Sequence, residues 1–132
     1  MKTERNWRVI MLDNDEKQAF NEALLKLMLL IYRIDHKITL AEQDKFDEIK
    51  RRMDWQSTIN IESYITHASG LVSQYVNEKR PLDLLKAIRE DLNYDPKLAI
   101  GMAQAMMDID QSRHEDEEEI MSYLTTKLTI AA

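Results

Sequence analysis

The chain contains no cysteine, and only two glycines and two prolines among its 132 residues. Without cysteine it can form no disulfide, support no thiol catalysis and bind no metal through thiolates, which fits a reducing cytoplasm. So little glycine and proline leaves too few turn residues for many short strands, which excludes an all-β fold. The length is that of one domain able to bury its own core. We therefore expect a single cytoplasmic all-α domain over residues 1–132.

Long hydrophobic runs and strongly basic surfaces are also scarce. The longest apolar stretch, residues 23–34, is interrupted by Lys26 and Arg33, and it is shorter than the about 20 residues that a membrane span needs. The start of the chain lacks the apolar core of a secretory signal. One basic triplet, residues 50–52, lies among acids, which is typical of a solvated helix face. We predict neither a membrane span nor a nucleic-acid partner.

Apolar residues at helical spacing recur along the whole chain and predict a bundle of six or seven helices. A short amphipathic piece around Trp7 is followed by helix-capping residues at positions 13–15. These should open a long helix that runs to about Ile34. Because nearly every face of that segment is apolar, we expect this helix to be central and buried almost all round.

The remaining helices are predicted from their start signals and apolar spacing. The capping box of residues 39–42, Thr-Leu-Ala-Glu, opens the second helix. A third should cover about residues 60–77, and Pro81 and Pro96 fit the first position of a fourth and a fifth. In the fifth, Gly101, Ala103 and Ala105 should allow close approach of a neighbour. The last helix carries the apolar positions of residues 120–128.

The negative charge of the chain is concentrated in one segment. With 24 acids and 18 bases, the formal net charge is -6. Residues 108–119 hold seven acids and one arginine, which accounts for the whole imbalance. One or two acids suffice to cap a helix, and seven within twelve residues repel one another. This segment is therefore the first candidate for a functional site.

An internal repeat connects this segment to an earlier part of the chain. At an offset of 75 residues, Asp35 aligns with Asp110 and Glu42 with Glu117. In each copy an apolar helix ends at an aspartate, and a glutamate follows seven residues later in the first turn of the next helix. We predict two helix–loop–helix halves, roughly residues 15–56 and 95–129, packed about a pseudo-twofold axis and linked by helices within 58–94.

The stretch from Asp35 to Glu42, Asp-His-Lys-Ile-Thr-Leu-Ala-Glu, resembles the motif of the TerB-like tellurite-resistance family. The usual form there is Asp-Gly-x-Ile-Ser/Thr-x-x-Glu, with a less regular copy near the C-terminus. Residues 110–117 stand at that place in this chain, with Arg113 and His114 where Ile and Ser or Thr are usual. His36 and Gln111 stand where the family has glycine. The resemblance covers about residues 19–128 and implies an all-helical pseudo-symmetric bundle linked to tellurite and other stress responses. Similar domains occur in DnaJ-like co-chaperones.

The resemblance also implies an acidic face that binds a divalent cation. Calcium and magnesium are the candidates, because both prefer carboxylate oxygens. The predicted metal ligands are Asp35, Glu42, Asp108, Asp110 and Glu117, with Asp44 nearby. A standard EF-hand loop beginning at Asp108 is disfavoured, because Arg113 stands where its sixth position needs glycine.

Other interpretations of the acidic residues stay open. Glu42 is also explained by helix capping alone, and Glu115 to Glu119 by the helix macrodipole. The acidic face could instead dock a basic partner protein without any metal, or belong to a metal-dependent hydrolase. We expect no catalysis, because the chain has no phosphate loop, nucleophile elbow or paired Glu-x-x-His motif. His67 is predicted to be a packed or surface residue rather than a ligand.

Overall fold

The computed structural model describes the backbone of residues 2–35, 40–109 and 115–128, and the side chains of residues 15–34, 40–109 and 115–128. Within these ranges the chain forms six helices and no strand, which confirms the predicted all-α class. The helices are α1 (Lys2–Asp35), α2 (Leu40–Arg52), α3 (Ile61–Asn77), α4 (Pro81–Leu92), α5 (Pro96–Ile109) and α6 (Glu115–Lys127).

Helix α1 is the centre of the bundle, as predicted. Its segment from Phe20 to Ile34 is buried almost continuously, and Leu25, Leu27 and Leu30 are fully inaccessible. This follows from the sequence, because apolar residues on every face leave no side suited to water. Four other helices, α3, α4, α5 and α6, pack against it. The first helix therefore supplies the largest part of the common core.

The predicted break at residues 13–15 is wrong, because α1 runs without interruption over 34 residues. Aspartate and asparagine cap a helix only where the preceding chain leaves the helical path. Inside a helix each costs at most about 0.7 kcal/mol relative to alanine. That cost is small against the packing of the following segment, so a continuous helix is maintained.

Helices α3, α4 and α5 begin where they were predicted to begin. The Asn60 side chain accepts a hydrogen bond from the Glu62 amide at 2.8 Å, and Asp95 Oδ1 accepts one from the Leu98 amide at 3.2 Å. Pro81 is the first residue of α4, a position whose amide would have no partner within the helix. Gly101, however, is exposed, and an added Cβ would meet no atom within 4 Å. The predicted close approach there is wrong.

The turn between α3 and α4 contains a strained residue. Lys79 has a φ of 59°, in the left-handed region. The Arg80 amide donates to the Tyr75 carbonyl at 2.8 Å and the Lys79 amide to the Val76 carbonyl at 3.0 Å. This is the Schellman pattern of a helix end, where glycine is the usual residue at the left-handed position. The hydrogen bonds hold Lys79 there despite the steric cost of its Cβ.

Candidate functional site

Two glutamates in the first turns of α2 and α6 are buried. Glu42 is the third residue of α2 and Glu117 is the third residue of α6, and each side chain is only 2% exposed. Among the described Asp, Glu, Lys and Arg residues, these two alone are buried. Glutamate is almost never fully buried unless it is paired. The two residues aligned by the repeat therefore share an unusual environment.

The backbone of Glu42 is attached to the last turn of α1 by Tyr32. The Tyr32 hydroxyl donates a hydrogen bond to the Glu42 carbonyl oxygen, and its ring lies 5.4 Å from the Phe46 ring, centroid to centroid. Burial raises the pKa of the Tyr32 phenol, and the negative charge of Glu42 raises it further. The phenol therefore stays protonated at neutral pH and remains a donor. Tyr32 fixes where α2 begins relative to α1.

The sequence prediction missed Tyr32. A single tyrosine in an apolar helix looks like one more core residue. The available signal was its hydroxyl group, since a buried tyrosine normally needs a hydrogen-bond partner. Its position, three residues before Asp35, is close to the loop that leads to Glu42.

Of the other three predicted metal ligands, one is exposed and two have side chains outside the described residues. Asp108 lies in the last turn of α5 and is exposed, and its Oδ1 accepts a hydrogen bond from Gln104 Nε2 at 2.8 Å. Asp35 ends α1, but its side chain lies outside the described residues, as does all of Asp110. No three His, Asp or Glu side chains among the described residues are grouped to hold a metal ion. The convergence of the five residues on one cation therefore stays a prediction.

The other described acids of α6 are solvent-exposed. Glu115, Asp116, Glu118 and Glu119 occupy the first turns of α6 with their side chains in water. Asp116 and Glu119 also line a cavity of about 530 Å³ that Lys79 borders from the α3–α4 turn. Of the would-be EF-hand positions, Asp110 and Ser112 lie outside the described residues.

The histidines and the basic triplet offer no further chemistry in the described part. His67 is exposed on α3, as predicted, with its ring 6.5 Å from the Tyr64 ring. His36 and His114 lie outside the described residues. In the triplet, Lys50 Nζ lies 2.7 Å from Glu62 Oε1, and Arg52 is 3.4 Å from Glu48. Neighbouring carboxylates thus offset two of the three positive charges.

Comparison of the chain with family models, with curated proteins and with solved structures found no match in any of the three. Within the described residues, no helix combines the length and apolar character that crossing a bilayer requires.

Proposed function

We propose that the chain is a non-enzymatic TerB-like domain of the cytoplasm, linked to tellurite or other stress responses, which binds a divalent cation through its acidic face. The motif of Asp35 and Glu42 supports the family and the stress association. The cation-binding proposal is supported chiefly by the burial of Glu42 and Glu117. Calcium or magnesium suits the donor set, because every predicted ligand offers carboxylate oxygens and none offers sulfur.

A position in the first turn of a helix does not by itself require burial of an acidic side chain. Glu62 and Asp83 are first-turn acids of α3 and α4, and their side chains are 64% and 44% exposed. A carboxylate can therefore favour a helix start from the surface, where no desolvation is required. Burying one costs several kcal/mol unless other groups compensate. In this chain, the two buried glutamates are the pair that the repeat relates.

The packing of the helices is consistent with the proposed pseudo-twofold arrangement. Helix α1 of the first half packs against α6 of the second, and α5 of the second half packs against α2 of the first. The two first helices, α1 and α5, also pack against each other. Ile34 at the end of α1 lines a cavity together with Asp116 at the start of α6. The proposed arrangement would therefore bring the two acidic loops to the same end of the α1–α5 pair. A cation between them would then receive one aspartate and one glutamate from each half.

Calorimetric titration of the purified protein with calcium, magnesium and zinc tests this proposal. The wild type should bind calcium or magnesium, and Glu117→Gln and Asp110→Asn/Glu117→Gln should lower the affinity on the order of tenfold or more, since affinity follows ligand charge. Glu115→Gln is the matched control, because it removes the same charge from an exposed position of the same turn. Absence of heat with every ion, or an equal loss in the control, refutes the cation site.

A second candidate function is metal-independent docking of a basic protein. It is favoured by the exposure of Glu115, Asp116 and Glu119 on one helix start. Binding of a polylysine peptide should then weaken steeply with salt and be unaffected by chelator. A Glu115→Lys/Glu119→Lys variant should lose that binding, whereas Glu117→Gln should keep it. If Glu117→Gln instead lost the binding and the charge-reversed variant kept it, the cation site would be favoured.

A further inference from the structure

A groove with an apolar floor lies at the opposite end of α5 from Asp108. It has a volume of about 360 Å³ and is bordered by α1, by the end of α2 and by the start of α5. Phe20, Leu24 and Ile49 form a floor that is nearly inaccessible to water. Leu98 and Met102, one turn apart on α5, form one wall. This wall is partly open, since Leu98 is 39% exposed.

The apolar groove continues into an acidic cleft, with Tyr94 lining both. Tyr94 is 39% exposed, and its ring lies 5.7 Å from the ring of Phe20 on the groove floor. Three exposed acids, Glu16, Glu90 and Asp91, line the cleft. None of these three acids forms an ion pair with a lysine or arginine among the described residues. The surface therefore combines apolar pockets with a concentrated negative charge.

The positive charges at the groove are already paired. Lys17 Nζ lies 2.7 Å from Asp54 Oδ2, and Arg52 has Glu48 at 3.4 Å. A basic group of a partner would meet the acidic cleft. An acidic group would find both Lys17 and Arg52 already paired with carboxylates. Charge complementarity thus specifies a basic occupant. A second copy of this chain, with its net charge of -6, would instead be repelled.

The shape of the groove specifies a helical occupant. The described residues form no strand, so they offer no sheet edge to which an extended peptide could add a strand. Phe20 and Leu24 on α1, like Leu98 and Met102 on α5, are spaced four residues apart. Rows of this spacing accept the i, i+3 and i+4 anchors of an amphipathic helix. Met102 adds an adaptable side chain of the kind common at such surfaces.

We infer that this groove is a docking site for an amphipathic helix of a partner protein, with apolar anchors over Phe20 and Leu98 and basic residues over Glu16 and Glu90. The site is separate from the proposed cation site and does not depend on it. The two lie at opposite ends of α5, which at 14 residues is about 20 Å long.

Fluorescence polarisation with synthetic peptides tests the inference on the full chain. The probe is a labelled helical peptide with leucines three and four residues apart on one face and lysines flanking them. Its counterpart carries glutamates in place of the lysines. The basic peptide should bind and the acidic one should not. Leu98→Ala should weaken binding roughly tenfold, as expected for a central anchor contact.

Charge reversal locates the acidic part of the site. Glu16→Lys/Glu90→Lys should lower the affinity roughly tenfold at low salt and flatten its salt dependence. The matched control Leu40→Ala, which removes an apolar side chain that is 75% exposed on α2, should leave binding unchanged. Glu115→Lys reverses a charge at the start of α6 and tests whether the peptide binds the acidic segment instead. Circular dichroism verifies that each variant is folded.

Three results would overturn the inference. One is failure of the basic peptide to bind, or equal binding of the acidic peptide. A second is a loss of binding in Glu115→Lys rather than in Leu98→Ala, which would move the peptide to the acidic segment. The third is sedimentation of the protein as a dimer that Leu98→Ala dissociates, because a second copy would then occupy the groove.

Discussion

Replacing Tyr32 with phenylalanine tests how α1 positions the start of α2. The change removes one hydroxyl group and keeps the ring that packs against Phe46. The Glu42 carbonyl then loses its side-chain donor, but the first turn of an α-helix still offers it the amide four residues later. Because a carbonyl oxygen has two acceptor positions, it is not left without a partner.

The expected loss is therefore that of one net hydrogen bond. Tyr32 is 7% exposed, so water does not readily replace the contact. We expect the free energy of unfolding to fall by about 1 kcal/mol, and the melting temperature by about 3 to 5 °C for a chain of this length. Truncation to alanine would cost more, because it also removes the buried ring.

The same variant should change the stability at alkaline pH. Burial raises the pKa of Tyr32, and it also raises that of Tyr64. A group with a raised pKa in the folded state stabilises the protein fully below its unfolded pKa, about 10 for tyrosine, and loses this contribution above it. Each pH unit above about 10 should remove up to about 1.4 kcal/mol per such tyrosine. Tyr32→Phe should remove about half of this combined slope.

Urea unfolding followed by circular dichroism, at neutral pH and between about pH 9 and 11, measures both effects. Tyr75→Phe is a suitable control, because Tyr75 is only partly buried. A Tyr32→Phe variant that is as stable as the wild type at neutral pH, or whose stability falls as steeply as that of the wild type above pH 10, would contradict this role of the hydroxyl group.

Four further substitutions test the fold. Leu30→Ala, at a fully buried position of α1, should lower the free energy of unfolding by about 2 to 5 kcal/mol. Leu40→Ala, at an exposed position of α2, should change it by no more than about 0.5 kcal/mol. Denaturant unfolding measures both values. Lys79→Gly should raise the melting temperature, since glycine adopts the left-handed φ without the steric cost of about 1 kcal/mol. Gly101→Ala should raise the free energy of unfolding by about 0.5 to 1 kcal/mol, because the helix has room for the methyl group. A lower stability of this variant would indicate that a neighbour does approach Gly101 closely.

Much of the fold could be predicted because its signals are local. Pro81 and Pro96 begin helices, Asn60 caps one, and the all-round apolar segment of α1 is central. The predicted break at residues 13–15 was wrong because a capping residue acts as a cap only when the chain before it is not helical. The residues around positions 13–15 do not show whether the chain before them is helical.

The candidate sites depend more on tertiary packing. The repeat placed Glu42 and Glu117 in matching first turns, which the structure bears out, but no sequence pattern indicated that their side chains are buried. The hydrogen bond from the Tyr32 hydroxyl joins α1 to α2, and no spacing pattern in the sequence predicts it. Leu98 fits an inward helical position by its spacing, yet it is 39% exposed, since no described helix covers that end of α5 completely.

Paramagnetic broadening by manganese(II) tests the central claim most directly, because this ion accepts the same oxygen ligands as calcium and magnesium. In the NMR spectrum of the labelled protein, substoichiometric manganese should broaden the amide signals around both Glu42 and Glu117, and excess magnesium or calcium should restore them. Broadening confined to one of these two turns, or restricted to the exposed acids around Glu115, would contradict a single cation held by both halves.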